Sequence, residues 1–155
     1  MAESNFLVCS YSEDRHRHAI RADDGRTGIL YLHAPSDDPE QTGRVEATCF
    51  AFNRVDRIKP SDVTRYRPEP PPIAQGYASN VAVCRWPMAD AWEMVWSLDG
   101  ETVVLLRNSK PWAIVSLAQP KGLSRAVETS GPWGHPWSDE AYDAIALGGR
   151  ARRCT

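Results

Sequence analysis

The chain has 155 residues, the length of about one domain, and a chain of that size buries ~68–70% of its unfolded surface without needing a metal or a disulfide. Lys plus Arg is 18 and Asp plus Glu is 20, a net charge of −2 that excludes a strongly basic nucleic-acid binder held by phosphate neutralisation. With 42% hydrophobic and 25% charged residues, the composition excludes the disordered and fibrous classes.

The start of the chain has an acid at Glu3 and only a short apolar run, Phe6 to Cys9, so neither a signal peptide nor a membrane span is expected. Phe6 to Tyr11 reads as a first strand. His18 to Ala22 and Gly28 to His33 flank Asp23-Asp24-Gly25-Arg26-Thr27, and Asp-Gly between two such runs signals a hairpin, because glycine accepts the positive φ of a tight turn. Arg44 to Asn53 alternates well enough for another strand. From Pro60 to Pro72 the pattern is lost, and Pro70-Pro71-Pro72 cannot donate ladder hydrogen bonds, which makes this stretch a connector. Asn80 to Trp86 reads as a short strand before Pro87.

Trp92 to Ala118 carries the firmest pattern. The period of two puts Trp92, Met94 and Trp96 on one face of a strand. A second Asp-Gly turn, Asp99-Gly100, leads into Thr102 to Arg107, which is apolar on both faces and so belongs in the centre of a sheet covered on each side. Asn108-Ser109-Lys110-Pro111 turns the chain into Trp112 to Ala118, closing a three-stranded meander. Ser124 to Glu128 reads as extended. Gly131 to Trp137 is too rich in Gly and Pro for regular structure. Ser138 then reads as the N-cap of a helix to about Leu147, with Ala141, Tyr142, Ile145 and Ala144 on its apolar face and Gly148-Gly149 ending it. The expected fold is mainly β (α+β). It is a single antiparallel meander sheet, barrel-like or sandwich-like, with one C-terminal helix: one domain over 1–149, then a basic flexible tail, 150–155.

Four cysteines, Cys9, Cys49, Cys84 and Cys154, form no Cys-x-x-Cys pair. The first three lie among apolar residues and read as small buried hydrophobes, whereas Cys154 is expected to be exposed. No phosphate-cradling Gly-x-x-x-x-Gly-Lys-Ser/Thr, dinucleotide Gly-x-Gly-x-x-Gly, His-Glu-x-x-His or Gly-x-Ser-x-Gly occurs. His16 and His18 would share a strand face and could hold a metal with His33 across the hairpin, although Arg15 and Arg17 beside them would repel a cation. Asp24 and Asp99 are accounted for by turn duty. His135 lies on a loop, where functional residues gather, but without an identifiable nucleophile or carboxylate partner. No metal and no cofactor are expected. Of six tryptophans, those at alternating strand positions read as core. Trp133 and Trp137 sit in the Gly/Pro loop, where they either clamp it to the sheet or anchor a partner.

Three segments together resemble a family of small bacterial proteins of unknown function. Ala22 to Tyr31 is similar to that family's acid-Asp-Gly-x-Thr-Gly-Tyr-x-Tyr hairpin, with Ile29 where the pattern has Tyr. Glu93 to Leu106 matches a second segment, and Lys110 to Val115 followed by Gly122 to Arg125 a third, in the same order. The Ala34 to Arg44 loop and the Pro-rich connector look like insertions. The family resembles cytoplasmic immunity proteins of secreted-toxin systems, which implies a cytoplasmic, non-enzymatic protein-binding domain that blocks a toxin's active site. The partner-binding residues expected on this reading are Trp133, Trp137, His135 and the acids Asp37, Asp38 and Glu40, which would meet a basic cleft. The alternative is an enzyme using a loop or strand histidine with a carboxylate, which requires a deep pocket of convergent titratable groups. Nucleic acid, for which only Arg54 to Arg67 and the basic tail speak, is not the expected partner. The oligomeric state is left open.

Overall fold

A computed structural model describes residues 5–10, 17–36, 43–146 and 151–153. Strands β1 (Asn5–Ser10), β2 (His18–Asp23), β3 (Thr27–His33) and β4 (Val45–Asn53) pair antiparallel in chain order as one sheet. A second sheet has the order β10-β5-β6-β7-β8-β9, built from β5 (Trp92–Ser97), β6 (Thr102–Arg107), β7 (Lys110–Ser116), β8 (Leu123–Ser124), β9 (His135–Pro136) and β10 (Ala151–Arg153). Helix α1 (Asp139–Ala146) follows β9. The protein is mainly β with a C-terminal helix, as expected, but it has two sheets rather than one, and neither closes into a barrel.

The split follows from patterning. β3 alternates between two cores: Leu30 and Leu32 point to one, Ile29 and Tyr31 to the other. The inner core lies between the sheets and joins Leu30, Leu32, Ala47, Cys49 and Phe52 to Met94, Trp96, Val103, Leu105 and Val115. The outer core covers the far side of the first sheet with Ile73, Ala74, Ala78, Ala82, Val127 and Trp133, drawn from loops. A third cluster, Val104, Ile114 and Leu123, lies under Ala141, Tyr142 and Ile145 of α1, which is why β6 is apolar on both faces. Ala144, expected on that face of the helix, is exposed.

A β-bulge sets which side of β4 carries what. The register shifts between Gly28/Ile29 and their partners Phe52/Phe50, leaving Ala51 as the extra residue and reversing the alternation beyond it. Phe52 therefore joins the inner core, and Asn53 turns to the outer one. Phe52 lies over its cross-strand partner Gly28, where a Cβ would come within 2.2 Å of the ring, so only glycine fits there. The buried Asn53 amide takes both backbone groups of Ile73: Nδ2 donates to its carbonyl at 3.0 Å, and Oδ1 accepts from its amide at 2.8 Å. That clasp ties the 70–84 segment to the sheet.

The Asp-Gly turns form as read. Asp24 Oδ1 accepts from the amides of Arg26 at 2.8 Å and Thr27 at 2.9 Å. Burial would push its carboxyl up, but these amides and the Arg26 side chain hold it below the ordinary range. Asp99 Oδ1 accepts from the amide of Glu101 at 2.9 Å beside Gly100. Ser138 caps α1, its Oγ accepting from the amide of Ala141 at 3.2 Å. The expected helix end at Leu147 and Gly148-Gly149 lies outside the described residues.

Five segments depart from the sequence reading. Ser124 to Glu128, read as extended, leaves β8 after Ser124 and turns at Arg125 and Ala126. Asn80 to Trp86 is not a strand: Val83 makes one parallel bridge to Asn53, and the chain then turns at Pro87. Residues 60–66 form a 3-10 helix inside the connector. In the Gly/Pro loop, β9 pairs parallel with β8, the His135 amide donating to the Gly122 carbonyl at 2.8 Å. Ala151–Arg153, expected as a flexible tail, pairs antiparallel with β5 because that strand otherwise offers an open edge.

Candidate functional site

Among the described residues, those singled out from sequence divide between the core and the surface. Trp133 is 4% exposed; its indole N–H donates to the Pro71 carbonyl at 3.1 Å, and its ring lies 5.2 Å from that of Tyr77. It clamps the loop, the first of the two roles that the sequence left open for it. Trp137 is half-buried, donates to Asp139 Oδ1 at 2.9 Å and packs against Tyr142. His135 Nδ1 lies 2.8 Å from Ser130 Oγ, the spacing of a base and nucleophile, but among the described residues no carboxylate orients its other ring nitrogen. Asp37, Asp38, Glu40, His16 and Cys154 lie outside the described residues, as do the side chain of Cys9 and Arg150 of the tail. His33 Nδ1 bonds the Gly43 carbonyl, and among the described residues no group of three His, Cys, Asp or Glu side chains is placed to hold a metal. In the arginine-bearing stretch, Arg54 pairs with Asp23 and Arg65 with Asp62.

Cys49 and Cys84 are buried, as expected. Burial pushes the Cys49 thiol up to about 12. It raises that of Cys84 as well, against the nearby Arg107, and a thiol held protonated is a poor nucleophile.

A different surface emerges where loop 85–91 meets the β6–β7 hairpin. Pro87 opens a single 3-10 turn, Pro87–Ala89, and the Trp92 indole donates to the Pro87 carbonyl at 2.8 Å. Asp90 then binds the hairpin: Oδ2 accepts from Arg107 Nε at 2.9 Å, and Oδ1 from Asn108 Nδ2 at 2.9 Å. Asn108 completes the joint, its Oδ1 accepting from the Ala91 amide at 2.8 Å and its own amide donating to the Ala91 carbonyl at 2.7 Å. Donation by Asn108 holds the Asp90 carboxyl below its usual range against the opposing effect of burial, with Arg107 adding to it. The loop is thus fixed, yet it turns Trp86 and Met88 outward, 74% and 79% exposed. Sequence reading placed Trp86 on a strand and in the core. The signal against that was the following proline, which restricts the residue before it and ends pairing.

Beside this loop, Arg107, Asn108, Lys110, Pro111, Trp112 and Arg125 line an open groove of about 640 Å³. Its arginines are laid on indole rings, Arg107 over Trp112 and Arg125 over Trp137, each at 4.5 Å. Trp112 is itself pinned by its indole N–H to the Ala51 carbonyl at 2.7 Å, and Arg125 by its Nε to the Pro111 carbonyl at 2.7 Å. Asn108 and Ser109 at the hairpin tip have φ of 51° and 69°, the left-handed pair that a two-residue hairpin turn requires. Three cations and no carboxylate line the groove. Asp90 pairs with Arg107 at 2.8 Å, and Asp139 lies 3.8 Å from Arg125. Among the described residues no helix is long and apolar enough to cross a membrane. No family model, curated protein or solved structure matches the chain.

Proposed function

We propose that the chain is a protein-binding domain whose partner docks on loop 85–91, with Trp86 and Met88 as its anchors. The observation that carries this reading is an exposed Trp–Met pair on a loop that is held rigidly from behind. A large aromatic left in water has apolar surface to bury on contact, about 150–250 Å² for a tryptophan, and tryptophan is enriched among residues that dominate interface energetics. Because Asp90, Asn108 and Trp92 already fix the loop, docking would cost little ordering entropy. The family resemblance supplies a partner class for this proposal, a secreted toxin met in the cytoplasm and blocked at its active site.

The test is co-expression with the product of the adjacent gene, followed by capture on the tagged domain. The Trp86→Ala/Met88→Ala double variant should melt like the parent and lose capture, along with any protection from toxicity. Full capture by that variant would overturn the docking loop. An adjacent product that is harmless without this domain would overturn the immunity reading.

A further inference from the structure

We propose that the partner's contact segment is acidic, and that the groove of Arg107, Lys110 and Arg125 receives its side-chain carboxylates while Trp86 and Met88 take its apolar residues. This rests on the protein-binding reading above and adds the chemistry of the partner.

Charge distribution is the first argument. The chain as a whole carries −2, yet the groove is lined by three cations and no carboxylate. Lys110 is exposed at the end of the hairpin turn and has no ion pair among the described residues, so its ammonium is free for an incoming group.

Presentation is the second. A guanidinium recognises a carboxylate through a planar fork of N–H donors, and the interaction gains when the fork is already oriented. Both arginines meet that condition. Arg107 is stacked on Trp112 and tied to Asp90 through Nε and Nη2, and among the described residues Nη1 has no hydrogen-bond or ion-pair partner. Arg125 is stacked on Trp137 with Nε committed to the Pro111 carbonyl and Nη2 at 3.8 Å from Asp139 Oδ1, and among the described residues Nη1 has no hydrogen-bond or ion-pair partner.

The same stacking argues against nucleic acid. Single-stranded nucleic acids bind through rings on which bases stack, together with a basic track that follows the backbone. Here the Trp112 and Trp137 rings already carry guanidinium groups, and Asp90 and Asp139 flank the cations, interrupting any longer positive track. A short acidic peptide segment with apolar neighbours suits three clustered cations beside an exposed Trp and Met.

Fluorescence anisotropy with a labelled poly-glutamate peptide, and with a labelled thymidine oligonucleotide of equal length, tests the proposal on the full chain. The peptide should bind at about 50 mM salt and weaken at about 200 mM. Lys110→Glu with Arg125→Glu should weaken it by about tenfold or more. Lys110→Glu alone, at an exposed position that leaves packing intact, should weaken it severalfold. Absence of peptide binding, indifference to Lys110→Glu, or tighter binding of the oligonucleotide would each overturn the acidic segment. The two proposals fail separately. If the peptide does not bind but Trp86→Ala/Met88→Ala abolishes partner capture, the docking loop stands alone; capture that survives the double variant sinks the loop whatever the peptide does.

Discussion

Two loops of this protein carry tryptophan beside proline, and they treat it in opposite ways. In the 131–137 loop, Trp133 is buried; in the 85–91 loop, Trp86 stands in solvent. Local composition does not separate them, since Pro132 precedes one and Pro87 follows the other. What separates them is where the indole N–H finds an acceptor. Trp133 reaches the Pro71 carbonyl, lies against Tyr77, and is held by its own carbonyl accepting from the Phe50 amide at 2.9 Å. Near Trp86 the Pro87 carbonyl is taken by the indole of Trp92. A tryptophan goes inside when both its ring and its N–H are provided for. The first loop therefore works as a clamp, and the second is left free to anchor something else.

The largest effect should come from breaking the clamp. Trp133→Ala should cost about 3–5 kcal/mol, the range for emptying a large aromatic site in a core, read as a fall in the urea midpoint with little change in slope. Asn53→Ala comes next. It strands the amide and carbonyl of Ile73 in a buried place, at a cost of about 1–3 kcal/mol for each polar group left unsatisfied. A combined loss under about 1 kcal/mol would show that the 70–84 segment, and with it the Pro71 carbonyl that holds Trp133, is secured in some other way.

Asn53 also marks the limit of what the sequence could tell. The β2–β3 hairpin and the β5–β7 meander were legible because alternation and Asp-Gly turns are local signals. The layer that covers Ile29 and Phe50 was not, because it depends on an amide clasp across twenty positions and on small residues, Ala74, Ala78 and Ala82, that carry no period. The division into two sheets was hidden for a related reason. β3, β4 and β6 read simply as strands, and which faces meet is decided in three dimensions. The groove suffers most, since Arg107, Lys110 and Arg125 come from a strand end, a hairpin shoulder and the turn after β8. Trp86 misled in the other direction: Asn80 to Trp86 reads as a short strand, but among the described residues its backbone meets the β4 end at one bridge only.

A smaller effect sharpens the contrast by loosening the anchoring loop from behind. Asp90→Ala removes the acceptor for Arg107 and Asn108 at a partly exposed site, for about 1–2 kcal/mol. Its pH dependence has a definite sign. Asp90 titrates lower in the folded chain than its ordinary 3.8, so its contribution is complete above that value and is lost as pH falls from about 4 through the folded pKa. The stability gap between parent and Asp90→Ala should therefore be widest near neutrality and narrow in acid at about pH 3. A gap that held constant into acid would mean that the carboxylate's charge contributes nothing to fixing the loop.

The smallest effect is the most discriminating. Trp86→Ala and Met88→Ala should each change stability by less than about 0.5 kcal/mol, because side chains that are mostly in water lose little burial on truncation. Set beside the Trp133→Ala loss, this asks whether two tryptophans in similar sequence surroundings differ as their acceptors say they should. A Trp86→Ala melt that fell as far as that of Trp133→Ala would put Trp86 in a core and remove the exposed pair on which docking depends. A melt that stayed put, together with lost partner capture, would leave Trp86 with a role in recognition and none in folding, since the only burial it could then give up is the burial it gains on contact.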